Sequence, residues 1–211
     1  MHFNKKLSTL LWPTFLLTLL FSSPTLFADS PITSTNISAG YSELAIVKEA
    51  ANAQGALTDP ILRYLCNANE PVDVKIAVIS ALSWGDQHQR ASLLGETLMK
   101  QEKRANKTAL LENTSADNLI CLAYLQAMDN YFEVGEALGW ARKACMRNTS
   151  SYTIHLVCAL IEAQQALDTD WCAVYTVCDK VRKNQSLTTD LRQMSELNIF
   201  EYIDGYAQFC K

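Results

Sequence analysis

LICLAYLQAM (119–128) and IHLVCALIEA (154–163) decide how this chain folds. Each stretch is too long for an ordinary strand and lacks the alternation a half-buried strand requires. Each is apolar nearly all round, with His155 and Glu162 the only acidic or basic residues in either. A helix without a polar face is stable only when neighbours cover its whole circumference. The stretches that follow, such as GEALGWARKACMRN (135–148), are amphipathic instead. Residues 117–147 therefore read as one antiparallel hairpin turning near 129–132. Residues 151–183 read as a second, turning near 167–170.

Outward from these hairpins the signals stay helical. Helices are expected near 41–54, 60–68, 72–84, 88–104, 116–128, 132–147, 151–166, 171–183 and 190–209. Asp59 before Pro60 is an N-cap followed by proline at the first helical position. Pro71 can open the next helix in the same way. Asp190 and Gln193 have capping-box spacing. A further pair is expected over 72–104. The asparagines of RANKT (104–108), RNTS (147–150) and KNQS (183–186) read as left-handed helix-end punctuation recurring every 36–42 residues. The fold class is all-α: stacked antiparallel helical hairpins, as an α-solenoid-like array or a compact helical bundle.

Residues 1–28 carry another message. Lys5 and Lys6 precede an uncharged apolar run, Leu7 to Phe21, and Ala28 offers a small residue before Asp29. This is the secretory signal pattern, with an apolar run of about 15 residues, short of the roughly 20 that span a bilayer. Cleavage near Ala28 would leave 183 of the 211 residues. Of these, 29–39, rich in Ser and Thr, is expected to be a flexible leader, and 40–211 a single helical domain. The expected location is periplasmic or secreted, with no stable membrane insertion after cleavage. The formal charge of −4 would become about −6 without Lys5 and Lys6. An acidic chain without a Lys/Arg stripe is a poor match for nucleic acid.

The location decides how the seven cysteines read, since exported thiols tend to pair. In an antiparallel hairpin, residues equally far from the turn stand at the same height. Cys121 and Cys145 are centred on residue 133, and Cys158 and Cys178 on 168. The expected disulfides are therefore Cys121–Cys145 and Cys158–Cys178. Cys172–Cys210 is the preferred third pair, with Cys66 left over.

Sequence patterns of catalysis are missing. There is no His-Glu-x-x-His helix, nucleophile elbow, phosphate loop or dinucleotide glycine motif. Cys-x-x-Cys is absent, and His155 has only Cys158 at metal-ligand spacing, so neither a cofactor nor a metal is expected. His155 reads as a packed, hydrogen-bonded side chain. Five Asn-x-Ser/Thr sequons (Asn36, Asn106, Asn113, Asn148, Asn184) are glycan acceptors in a eukaryotic secreted chain. Trp84, Tyr124, Trp140, Tyr152, Trp171 and Tyr175 fall mostly at core spacing. Trp140 and Tyr175, on amphipathic helices, are the expected binding face.

Tyr124, Ala137, Ala141 and Ala144, echoed by Cys158 and Ala173, give residues 117–184 a pattern that resembles degenerate tetratricopeptide-like repeats. The resemblance implies a curved protein-binding scaffold, although the closing proline of that repeat is missing. CLAYLQAMD (121–129) is similar to the Cys-x-x-Tyr stretch of amidase-immunity proteins. The leading expectation is an exported protein–protein interaction module with a protein partner, not an enzyme. The alternatives are a periplasmic inhibitor or immunity protein that blocks a toxic enzyme, and a carrier of an apolar ligand.

Overall fold

Seryl and aspartyl caps set the boundaries of the helices that the sequence makes most legible. In the computed structural model, which describes residues 30–83 and 89–211, Ser115 accepts from the Asn118 amide at 3.1 Å to start α6 (Ala116–Asp129). Ser151 accepts from Ile154 at 3.1 Å to start α8 (Tyr152–Ala166), and Asp170 from Ala173 at 3.0 Å to start α9 (Trp171–Arg182). With α7 (Gly135–Arg147) these form the two expected hairpins, α6–α7 and α8–α9. α2 (Asp59–Cys66) begins one residue earlier than expected, with Thr58 rather than Asp59 at the N-cap position and Pro60 as its second residue, and Pro71 occupies the N-cap position before α3 (Val72–Leu82). The remaining helices are α1 (Ala45–Asn52), α4 (Arg90–Gln101), α5 (Lys107–Asn113) and α10 (Gln193–Ile203). Two 3-10 helices, Ile37–Tyr41 and Asp204–Phe209, complete the order, and no strand occurs among the described residues. The expected signal peptide, Trp84 and His88 lie outside the described residues.

The core runs along α3, α6 and α8. Their side chains are buried almost all round, including Ile76, Val78 and Ile79 of α3, Leu119 to Leu125 of α6, and Ile154 to Ile161 apart from His155 of α8. The buried face of α7 includes Ala137, Ala141 and Ala144, whose small side chains let it approach its neighbours closely.

Several expectations need correction. RANKT does not merely end a helix. Asn106 is extended, and its side chain accepts from Ala109 at 2.9 Å as the N-cap of α5, a helix the sequence reading missed. The carbonyls at the end of α5 accept from the Arg147 guanidinium, at 3.0 Å for Leu111 and 2.7 Å for Glu112, which fastens α5 to α7. Asn148 and Asn184 are not left-handed either. Each side-chain oxygen accepts from the amide and hydroxyl of the serine two residues on, closing an Asx turn. The expected α3–α4 pair does not form. α3 packs on α1 and α6, whereas α4 packs on α6, α2 and α5. Asp190 does not cap its own helix, which begins at Gln193 without a side-chain cap. It bonds instead to the start of α8, accepting from Ser151 Oγ at 2.6 Å and from the Thr153 amide at 2.7 Å.

The stretch expected as a flexible leader is built into the fold. Ser30, Ile32, Thr35 and Ile37 are buried. Ile37 lies against α10, where the buried Ser195 hydroxyl donates to its carbonyl at 2.6 Å. Next to it, Tyr41 donates to Asp73 at 2.7 Å and accepts from the Arg192 amide at 3.0 Å, and the Arg192 guanidinium stacks 4.4 Å above its ring. Burial, reinforced by the bond to Asp73, pushes the Tyr41 hydroxyl well above the usual phenol range. In an open solenoid each repeat touches only its neighbours. Here the first described segment touches the last helix, which makes the stack a closed bundle.

Candidate functional site

The C-terminal aromatic cleft is an exposed apolar feature that lies beside a disulfide. Trp171 opens α9, and Phe209 closes the 3-10 turn that follows α10. Their neighbours Cys172 and Cys210 are joined in a disulfide, as the sequence led us to expect, with Cα atoms 4.8 Å apart. The bond holds the two rings edge-to-face with centroids 4.6 Å apart. Tyr206 adds a third ring 6.2 Å from Phe209, and its hydroxyl is 2.7 Å from that of Tyr202. These four aromatics line a cleft of about 590 Å³ with Asp168 and Glu201, and no basic side chain lines it. Trp171 is 51% exposed and Phe209 42%. Met194 and Leu197, 56% and 57% exposed, share the helical stripe of Glu201 and extend the apolar surface along α10. Trp171 was among the aromatics noted in the sequence. Phe209 was not, and only its adjacency to Cys210 hinted at its role.

The expected binding pair sits elsewhere. Trp140 is 93% buried at the base of a groove of about 160 Å³ between α4, α5, α6 and α7, with Lys107 Nζ 4.4 Å above its ring. Lys107 also pairs with Glu136 at 3.1 Å and so roofs the indole. Tyr175 packs partly buried against the core and does not line that groove. Cys121 and Tyr124, the residues behind the likeness to immunity proteins, are both buried inside α6.

Neither expected hairpin disulfide is present: Cys121, Cys145, Cys158 and Cys178 are all free thiols. Equal height on two helices does not bring residues together unless their helical phases also match. Cys121 is buried in α6, which packs on α3 and α2, and it feels the charges of Lys75, Asp117 and Cys66 rather than that of Cys145. Cys145 points across to α8, with its Sγ 3.8 Å from the Ile154 carbonyl. Burial pushes the Cys121 and Cys178 thiols up to about 12, so neither is a nucleophile near neutral pH. The fully buried Lys75 Nζ has no hydrogen-bond partner among the described residues. His155 Nε2 is bonded to the Asn148 carbonyl at 3.2 Å. Among the described residues no cluster of His, Cys, Asp or Glu could hold a metal ion, and no helix is long and apolar enough to cross a membrane.

Comparison with protein-family models, curated proteins and solved structures found no match.

Proposed function

We propose that the chain is an exported helical interaction module that takes a basic segment of a protein partner into the C-terminal aromatic cleft. The single observation that carries this reading is the composition of the cleft: four aromatic rings and two carboxylates, with no base, clamped by a disulfide. Aromatic faces and carboxylates both attract Lys and Arg. Rings fixed before binding lose little conformational entropy when a partner arrives. The basic, apolar and small-residue order of residues 1–28 supports export, and a disulfide suits an oxidising compartment. A module that blocks a toxic enzyme would use such a surface in the same way. The carrier reading has less support: the Trp140 groove, at about 160 Å³, is smaller than ordinary ligand pockets of roughly 300–1,000 Å³, and the larger aromatic cleft is lined by two carboxylates that an apolar ligand would leave without water or a partner.

Calorimetric titration of the purified protein with a Lys/Arg-rich decapeptide, and with its Asp/Glu counterpart, tests the cleft. The basic peptide should bind, weaken as salt rises, and lose affinity in Trp171→Ala and Glu201→Gln but not in Trp140→Phe. Equal binding of the acidic peptide, or unchanged binding in the cleft variants, refutes the proposal. For export, N-terminal sequencing of protein recovered outside the cytoplasm should begin at Asp29. An intact Met1 would refute it.

A further inference from the structure

Besides Cys172–Cys210, a second pair of cysteines is arranged for bonding, although it is not the pair that hairpin symmetry suggested. Cys145 lies near the end of α7, and Cys158 lies in the middle of α8. The two helices pack side by side. The Cys145 sulfur is 3.8 Å from the carbonyl of Ile154, one helical turn before Cys158 and on the same face. The carbonyl of Ile154 accepts the backbone bond of Cys158 in α8, so the Cys145 sulfur lies beside the turn that carries the Cys158 thiol, and the two thiols perturb each other's ionisation.

We propose that Cys145 and Cys158 form a second disulfide, which joins the second helix of one hairpin to the first helix of the next. This inference is independent of what the aromatic cleft binds. The bonded pair Cys172–Cys210 likewise runs beyond a single hairpin, from the start of α9 to the chain end. Together the two bonds would link α7 to α8 and α9 to the C-terminal segment.

The chemistry needs a disulfide oxidant, either a small-molecule disulfide or an oxidised dithiol protein. Cys145 is the accessible partner, and Cys158 is buried. The interaction between the two thiols holds Cys145 below its usual range and Cys158 above its own. The Cys145 thiolate attacks one sulfur of the oxidant, which expels the other as a thiolate and leaves a mixed disulfide. Cys158 then loses its proton and attacks Sγ of Cys145, expelling the second thiolate. Two protein thiols become one disulfide, and the oxidant leaves as two thiols. The remaining thiols are poorly placed for this reaction: Cys66, Cys121 and Cys178 are buried, and burial raises each of them to about 11 or 12.

The test exposes the folded full-length protein to oxidised glutathione, quenches it with acid and maps it without reductant. Trypsin and a Glu-specific protease release residues 144–147 and 148–162, which carry Cys145 and Cys158 separately. These peptides should be recovered joined, two hydrogens lighter than their sum. In Cys158→Ser, whose replacement is small, Cys145 should instead retain one glutathione. Joining of Cys145 to Cys121 would overturn the proposal, as would Cys158 to Cys178, a stable glutathione on wild-type Cys145, or both thiols still alkylatable after oxidation. Circular dichroism of the variant separates a failure to fold from a failure to pair.

Discussion

Removing the Cys172–Cys210 bond should both destabilise the fold and dissolve the aromatic cleft. The two cysteines are 38 residues apart in sequence. In the chain-entropy account, closing a loop of that length removes freedom from the unfolded chain worth about 4 kcal/mol. For a domain of this size each kcal/mol shifts Tm by about 2–4 °C, so the double variant Cys172→Ser/Cys210→Ser should melt about 8–16 °C below the wild type. The assay is thermal unfolding by circular dichroism, with both proteins kept free of reductant. A local readout accompanies it, because Trp171 rests edge-on against Phe209 beside the bond that joins their neighbours. The Trp171 emission should shift towards that of a solvated indole, with Trp171→Phe in each background identifying its share of the signal. A fall of less than about 3 °C would refute the entropic reasoning. An unchanged Trp171 signal would show that the rings hold each other without the bond. Reductant added to the double variant reports separately on Cys145–Cys158, and a further fall in Tm is expected there.

Other perturbations test other parts of the fold. Gly40→Ala would place a Cβ 2.3 Å from Ser195 Oγ and 3.0 Å from the Ser195 amide, so chemical denaturation should show a loss of about 1–3 kcal/mol, partly recovered in Gly40→Ala/Ser195→Ala. Asp129→Ala leaves Arg90 buried without the carboxylate that pairs with it at 2.6 Å, and also removes the acceptor of the Ala91 amide. A loss of about 3–5 kcal/mol is expected, and a change below about 1 kcal/mol would refute a structural role for the pair. Lys75→Met replaces a buried amine that has no hydrogen-bond partner among the described residues, and denaturation should show a gain in stability. A loss would mean that attraction to Asp117 outweighs the burial penalty. Stability should also fall as pH rises above about 9. Thiols ordinarily titrate at 9.0, but burial raises Cys66 to about 11 and Cys121 and Cys178 to about 12. Between those limits the unfolded chain releases protons that the fold retains, so alkali favours unfolding. A denaturation midpoint that does not move between about pH 8 and pH 10 would contradict this.

What the sequence revealed, and what it hid, follows from the reach of each signal. The hairpin helices 116–128 and 151–166 were legible almost to their ends, because apolar content and seryl caps act within a few residues. α5 was invisible because KTALLEN (107–113) is barely two turns long and takes much of its support from Arg147, 34 residues beyond the end of that helix in sequence. The leader was misread because Ile32 and Ile37 are isolated among Ser and Thr, and part of the surface that buries Ile37, on α10, is more than 150 residues away in sequence. The hairpin cysteine pairs failed for a geometric reason. Distance from a turn fixes height along a helix, whereas side-chain direction depends on phase, which the arithmetic ignored. Cys172–Cys210 needed no such symmetry. Of the candidate site, Trp171 was noted but its exposure was not, since helical spacing alone cannot separate a core ring from one left open at the end of a stack.

The contact between Tyr41 and Arg192 also sets a schedule for maturation. Whether the chain emerges from a ribosome or threads through a membrane pore, residues 37–41 and α3, which packs on them, arrive early, and α10, the other half of their surface, arrives much later. Arg192 follows Tyr41 by 151 residues, and Ser195 follows Ile37 by 158. Until α10 arrives, Ile37 and Tyr41 lack the α10 half of their site, and the growing chain cannot finish this part of its core. Such long-range closure slows folding, because the whole intervening loop must be ordered before the contact is rewarded. In the export proposed above, late closure would keep the early segments threadable until α10 has followed them.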